Sequence, residues 1–337
     1  MPVVANTFQT TSARGNREEL SDVVSRITPE DTPIYSLIEK ESFKATHPEW
    51  ETDALAAPSD NVQLEGDDYT FGVTMPAVRL GTYTQIMRKD GIISGTQDAT
   101  DNAGRVEQVK YQKLKNGIEL RRDAEFSIVD TRASIGGATR RSGSLNAWLT
   151  SNVSRGATGA NGGYNQGTGL TVAPTNGTQR AFTKVIMDSV MQQGYVNGAN
   201  FGHVVVSPYV KSVFVTFMSD ANVATFRYAA SSGKDNSIIA NADVYEGPFG
   251  KVIIHPNRVQ AGGGAAVGGA GGLARNAFFI DTEFLKWGWF RKIAEDKEVA
   301  KTGDAKKFVM LGEGALKPTN EMGLGVAADL FGLSPST

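Results

Sequence analysis

Three histidines, His47, His203 and His255, are the first candidates for proton transfer near neutral pH or for holding a metal through imidazole. They fall on expected strands far apart in the sequence, where a lone histidine reads as a packed or edge residue. Cysteine is absent, which removes disulfides, thiolate nucleophiles and cysteine-based zinc sites. Neither G-x-S-x-G nor G-x-x-x-x-G-K-[ST] occurs. Gly269–Ala274 matches G-x-G-x-x-A, but it precedes a strand instead of following one and opening a helix, so its amides cannot cradle a pyrophosphate. Glu65, Asp67 and Asp68 could meet a hard cation, yet they lack regular oxygen-ligand spacing and read as a solvated turn. Trp287, Trp289, Phe290, Arg291 and Lys292 could stack on single-stranded nucleic acid. On an alternating strand they read instead as core rings with charges at the edge. No catalytic residue, metal or cofactor is expected.

The elements that would position such groups tell more. The stretch Gly104–Asp130 contains no proline and one internal glycine, Gly117. Leu114 and Ile118 are four apart, and Leu120, Ala124 and Ile128 repeat the step, so apolar groups recur on nearby turns of a helix. Lys115–Glu119 and Arg121–Glu125 are opposite charges at i,i+4. Such a helix would be a rod of roughly 40 Å, and its broad apolar arc, with Phe126 off it, needs more than one neighbour as cover.

Before it, Glu18–Ser25 and Pro33–Lys40 predict two short helices, the second with Thr32 as N-cap and Pro33 in its first turn. Joined by prolines, they suit an arm laid over a neighbour better than a core. Thr46–Leu55 and Arg79–Arg88 predict two extended segments joined by a long polar tip, a protruding hairpin with little core of its own. After the long helix, Leu145, Trp148 and Leu149 are apolar anchors, and 154–179, rich in Gly, Asn and Thr, predicts a loop. Thr183–Gln193 predicts a helix stopped by Gly194, His203–Val206 a buried strand, and Ser207-Pro208 the start of another helix over 208–218. Strand pairs around Gly247–Gly250 give a hairpin, and 261–272 is a glycine loop. The return is strands: Ala277–Asp281, Leu285–Phe290, Ile293–Ala300, Lys307–Glu313 and Glu321–Leu330. The class is α+β.

Charge and composition limit the partners. With 34 basic and 36 acidic residues the net charge is −2, so no global basic field grips nucleic acid, although enclosing it without tight binding stays open. No signal-like N-terminus and no apolar run near the ~20 residues that span a bilayer is present, so no membrane is expected. The 38 glycines, many clustered, imply long loops between ordered elements.

This order of parts resembles the major capsid proteins of tailed bacteriophages, whose Hong Kong-type fold is shared with herpesvirus floor domains and encapsulins. The resemblance lies in Gly15–Leu20 and Thr28–Pro33 (GNREEL, TPEDTP), Glu49–Asp53 (EWETD), Glu65–Tyr69 (EGDDY), Thr84–Ile86, Ser94–Gln97, and Glu119, Arg121, Arg122, Asp123 and Glu125. It ends in Lys301–Asp304 and Gly312-Glu313, and so spans almost the whole chain.

The resemblance implies an N-terminal arm over 1–45, an extended loop over 46–96, a peripheral domain over 97–180 with its spine helix at 104–130, an axial domain over 181–274, and returning peripheral strands over 275–337. It implies a head subunit that assembles through hexamers and pentamers into an icosahedral shell around double-stranded DNA, built in the host cytoplasm and resident in the virion. Portal, scaffold and decoration proteins are the implied partners, with scaffolding as a separate protein if used, since no long segment precedes the arm. Trp50, Glu51, Glu65, Arg79 and Arg88 on the extended loop are the candidate inter-subunit contacts, Trp50 as a large apolar group more useful buried than exposed, whose loss should weaken assembly more than subunit folding. An encapsulin-like compartment shell is the alternative, and a monomeric enzyme or binding module a more distant one. Some members of the resembled family join neighbours covalently through a loop lysine and a distant asparagine. Ala45–Leu80 contains no lysine, leaving only Lys44 and Lys89 near the hairpin base. Assembled particles should therefore run as single chains on a denaturing gel; a covalent ladder would refute this.

Overall fold

The computed structural model describes residues 27–28, 30–69, 71–100, 108–216, 243–262, 273–300 and 303–331. In chain order, helix α1 (Pro33–Leu37) leads into strand β1 (Glu39–Ser42), and β2 (Glu49–Thr52) and β3 (Val78–Gly81) flank a long strandless stretch. Strand β4 (Gln85–Ser94), the turn α2 (Gly95–Ala99) and the long helix α3 (Gln108–Val129) follow. Next come α4 (Leu145–Trp148), β5 (Asn152–Ser154), β6 (Gly163–Asn165), β7 (Leu170–Val172), α5 (Lys184–Val196), β8 (His203–Val206) and α6 (Pro208–Thr216). The chain closes with β9 (Val244–Gly247), β10 (Gly250–Pro256), α7 (Arg258–Gly262), β11 (Ala277–Ile280), β12 (Leu285–Glu295), β13 (Ala305–Pro318) and β14 (Leu324–Ala327).

Two sheets carry the fold: a four-stranded one ordered β1-β12-β13-β4 and a six-stranded one ordered β5-β14-β11-β8-β10-β9. The six-stranded sheet is buried on both faces, which is why its central strands read as unbroken apolar runs (AFFI, LGVA). Alternate residues serve different cores. Phe278, Ile280 and Val205 face the core shared with α3, whereas Phe279, Val204 and Val206 face the core under α5 and α6, with Met187, Val190, Val210 and Phe214. The segment after residue 275 thus divides, β12 and β13 going to one sheet and β11 and β14 to the other.

Several elements depart from their sequence patterns, each for a tertiary reason. The helix expected over 33–40 ends at Leu37, because residues 39–42 pair in parallel with Lys286–Trp289 of β12. Ile34 and Ile38 are buried in this chain's own core, and the Phe43 ring occupies the space where a side chain on Gly288 would stand. Residues 33–43 of the expected arm are therefore packed within the subunit, while Glu18–Ser25 lies outside the described residues. Gly194 does not stop α5: the helix runs to Val196, and a Cβ at Gly194 would collide with Phe201. The turn comes at Gly198, whose φ of +88° suits glycine. The expected loop 154–179 contains the hairpin β6–β7 and is tied down by buried Asp329, which accepts from the backbone N–H of Gly156 (3.0 Å) and of Gly177 (2.9 Å). Leu285–Phe290 and Ile293–Ala300 are not two strands but one, β12, whose register against β13 shifts between Trp289 and Ala294.

Helix α3 lies on β4 and β13 and also touches α1, α4 and α7. Leu120, Ala124 and Ile128 are buried as their spacing predicts, but Leu114 is 64% exposed. The Lys115–Glu119 pair forms at 3.7 Å. Arg121–Glu125 does not. Glu125 is turned inward and fully buried, where its Oε1 accepts from the Ile34 N–H (3.1 Å) and its Oε2 from the Tyr35 N–H (2.7 Å). Asn257, between β10 and α7, donates its Nδ2 to the same carboxylate at 2.6 Å. Glu125 thus caps α1 from another element. Thr32, at the N-cap position, leaves the backbone alone and meets the Ser36 hydroxyl at 3.3 Å.

Burial pushes the Glu125 carboxyl up from its ordinary 4.5 to about 7, against the pull of those hydrogen bonds and of Lys40. A raised value means that ionisation costs stability in the folded state. That increment is fully retained below 4.5 and is lost as pH rises through about 7. Melting of Glu125→Gln should lack a fall of a few kcal/mol that the native subunit shows across this window; equal slopes would refute the assignment.

Candidate assembly surface

Strands β2 and β3 pair in antiparallel register, Trp50 opposite Leu80 and Glu51 opposite Arg79. Trp50 fixes this root to the body of the subunit. Its ring lies 5.8 Å from that of Trp148, which stacks in turn on Tyr164 at 5.3 Å. Its indole Nε1 donates to the Thr319 carbonyl at 3.1 Å, and the Lys317 ammonium sits 5.6 Å from the ring centre. Below the root, the buried carboxylate of Glu313 accepts from Thr84 Oγ1 (2.7 Å), Arg140 Nη2 (2.6 Å) and Arg291 Nε (3.0 Å). Burial alone would raise its pKa; these donors together hold it below the ordinary value.

Beyond the root no strand occurs among the described residues from Asp53 to Ala77, and a turn lies at Glu65-Gly66, where φ of +84° at Gly66 suits glycine. Leu55, Val62, Leu64, Tyr69, Phe71, Val73 and Met75 are each at least 78% exposed here. Single exposed apolar side chains are ordinary, but seven on one segment mark a surface made to be covered. Interspersed are Asp53, Asp60, Glu65, Asp67 and Asp68, with no lysine or arginine from 53 to 77. The tip is acidic and apolar together, not simply polar.

The five expected contact residues separate. Trp50 is half-buried against its own chain, and Arg79 pairs with Glu49 across the hairpin. Arg88, on β4, lies 3.7 Å from Asp90, both well exposed. Glu51 and Glu65 are exposed, with no ion pair among the described residues. The exposed apolar side chains of the tip are candidates that sequence reasoning did not single out, although Tyr69, Phe71, Val73 and Met75 alternate with a period of two.

The other candidate groups settle differently. His203 and His255 are not separate: they lie on neighbouring strands β8 and β10, with Nδ1 and Nε2 3.0 Å apart. Burial lowers both pKa values, and for His255 the charge of His203 adds to it. His47 is elsewhere, its ring 4.1 Å from that of Tyr83. No group of three or more metal-ligating side chains occurs among the described residues. Trp287 and Trp289 are buried, while Phe290, Arg291 and Lys292 are exposed, the register shift after Trp289 ending the alternation. Gly269–Ala274 lies largely outside the described residues.

Residues 4–331 match the family model described as SU10 major capsid protein. A curated relative, the major capsid protein of Escherichia phage Phieco32, is 35% identical over 127 residues, covering 37% of this chain and 36% of the relative. The aligned part is thus about a third of that protein. Among solved structures, the chain from Gordonia phage Cozz has a TM-score of 0.58 at 15% identity, covering 97% of this chain and 96% of its own. The capsid of a native GTA particle gives 0.59 at 11% identity, with 96% and 98% covered. The cyanophage Pam1 capsid asymmetric unit gives 0.57 at 11%, with 99% and 100% covered. At these identities the structural likeness speaks for the fold, which is that of phage capsids.

Because Trp50 packs within its own subunit, its loss should be felt before any assembly. Trp50→Ala is expected to cost the unassembled chain about 2 kcal/mol in a denaturant melt, and Trp50→Phe, keeping the ring contact and losing the hydrogen bond, about 1 kcal/mol. Unchanged subunit stability in both variants would return Trp50 to a purely inter-subunit role.

Proposed function

This chain belongs to the SU10 major capsid protein family, a family of structural shell subunits and not of enzymes, and from that premise we propose that its copies assemble through hexamers and pentamers into a closed icosahedral shell around double-stranded DNA. The observation that carries the reading is the tip: seven large apolar side chains with no cover from the described remainder of the subunit. A neighbour laid under or over the tip would remove them from water, at about 25 cal/mol per Å² of apolar surface. Each such contact is modest, and closure by symmetry multiplies it.

The rest of the chain is consistent with that task. A body with two packed cores is rigid enough to hold shape through slightly different neighbours, while a strandless tip can adjust. A net charge of −2 gives an inner wall little reason to grip the enclosed polyanion. Portal, scaffold and decoration proteins complete the proposal as partners, with assembly in the host cytoplasm and residence in the virion.

The test is sedimentation and negative-stain microscopy of the chain, alone and co-expressed with candidate scaffold proteins, beside Phe71→Asp and Val73→Asp. These variants should melt within about 0.5 kcal/mol of the native subunit, as substitutions outside a core do, and form no shells, tubes or capsomer rings. Normal particles from both would overturn the role given to the tip.

A further inference from the structure

The chain has three histidines, and strand pairing brings two of them together. In the parallel register of β8 with β10, Ile253 stands opposite His203 and His255 opposite Val205. His203 and His255 are therefore diagonal neighbours, and because side chains alternate along each strand they share one face of the sheet. That face is partly open here. Lys251 and Ile253 are exposed on it and both imidazoles are half-buried, whereas Val252 and Ile254 point the other way, into the core under α5 and α6.

The ring nitrogens converge at ligand spacing. Nδ1 of His203 and Nε2 of His255 lie 3.0 Å apart, with ring centres 5.2 Å apart. One hydrogen, donated by one ring and accepted by the other, satisfies this pair, and a metal ion can take its place. Two metal–nitrogen bonds of about 2.0–2.1 Å that span 3.0 Å meet at roughly a right angle. A tetrahedral ion would need its nitrogens roughly 3.3 Å apart. Right angles separate neighbouring ligands in the tetragonal sites of Cu(II) and Ni(II), and copper is the tighter of the two with nitrogen ligands. Burial lowers both imidazole pKa values, which favours the unprotonated nitrogens that ligate.

We propose that His203 and His255 form a site for a divalent copper or nickel ion, which clasps the edge hairpin β9–β10 to β8 in the six-stranded sheet. The inference stands apart from the shell reading. On binding, the ring that donates the shared hydrogen carries it on its other nitrogen instead, so His203 keeps its hydrogen on Nε2 and His255 on Nδ1, and no proton is lost. Water fills the remaining positions, since no group of three ligating side chains occurs among the described residues. The charges of Lys211 and Asp243 act on His255, but these two pair with each other at 2.6 Å, so that carboxylate is already engaged.

The test uses the full chain without a polyhistidine tag, titrated with Cu²⁺ and followed by calorimetry and electron paramagnetic resonance. The native chain should take up one ion per copy, show hyperfine coupling to two imidazole nitrogens, and melt at a higher temperature with the metal than without. Cu²⁺ should bind more tightly than Zn²⁺. His203→Gln and His255→Gln should each lose the site, while His47→Gln, at a ring that lies beside Tyr83, should keep it. The nitrogen coupling is read on the native chain, so the test stands even where a glutamine variant fails to fold. No saturable uptake by the native chain, or a spectrum without coupling to two nitrogens, would overturn the proposal and leave a hydrogen-bonded packing pair. Uptake unchanged in both His203→Gln and His255→Gln, or lost in His47→Gln, would overturn it as well. Tighter binding of Zn²⁺ than of Cu²⁺ would overturn the assigned class of ion.

Discussion

One buried carboxylate holds three distant parts of this subunit in a single arrangement. Glu125 accepts from two amides at the start of α1 and from Asn257, so the long helix, the N-terminal segment and the exit of β10 share one acceptor. Leaving those amides unpaired in an interior would cost more than the hydrogen bonds gain, and this asymmetry makes the junction restrictive. Because α1 is fixed here, β1 is aimed to pair with β12, and Ile34 and Ile38 complete the core on which α3 rests. The body that presents the hairpin follows from that junction.

What was legible in the sequence was local. Ser207-Pro208 announced α6 because both signals, a hydroxyl acceptor for the Val210 N–H and a proline in the first turn, act within a few residues. The Gly247–Gly250 turn likewise carried its hairpin, and the steps of four from Leu120 to Ile128 carried the buried side of α3. Glu125 was misread for the same reason: local spacing offered Arg121 as its partner, whereas its real partners are 91 and 132 residues away. Gly194 is a helix stop by local rules and a packing site against Phe201 in fact. His203 and His255 become neighbours only once β8 and β10 pair.

The surface was less legible than the fold, because a pattern along one chain does not say what will cover it. Tyr69, Phe71, Val73 and Met75 alternate with a two-residue period, the mark of a half-buried strand, yet among the described residues no strand forms there and all four stay exposed. Among the five expected contacts, Trp50 has partners within its own subunit that local reading could not show: Trp148, Thr319 and Lys317 converge on it from other elements. In the resemblance to tailed-phage capsid proteins, family and fold were visible together, because that likeness is carried by many short segments along the chain and not by any one of them.

The order of strands has a bearing on how the subunit is made. In one sheet β14 lies between β5 and β11, and in the other β4 and β1 wait for β13 and β12. Strands β1, β4 and β5 therefore depend on partners from the last part of the chain, a pattern of distant contacts that slows folding, whereas β8 also has β10. While a ribosome is still translating residues before 277, neither sheet can be completed, and α3 has no β13 to lie on. Strand order thus leaves the closing of the body to the part of the chain that is synthesised last.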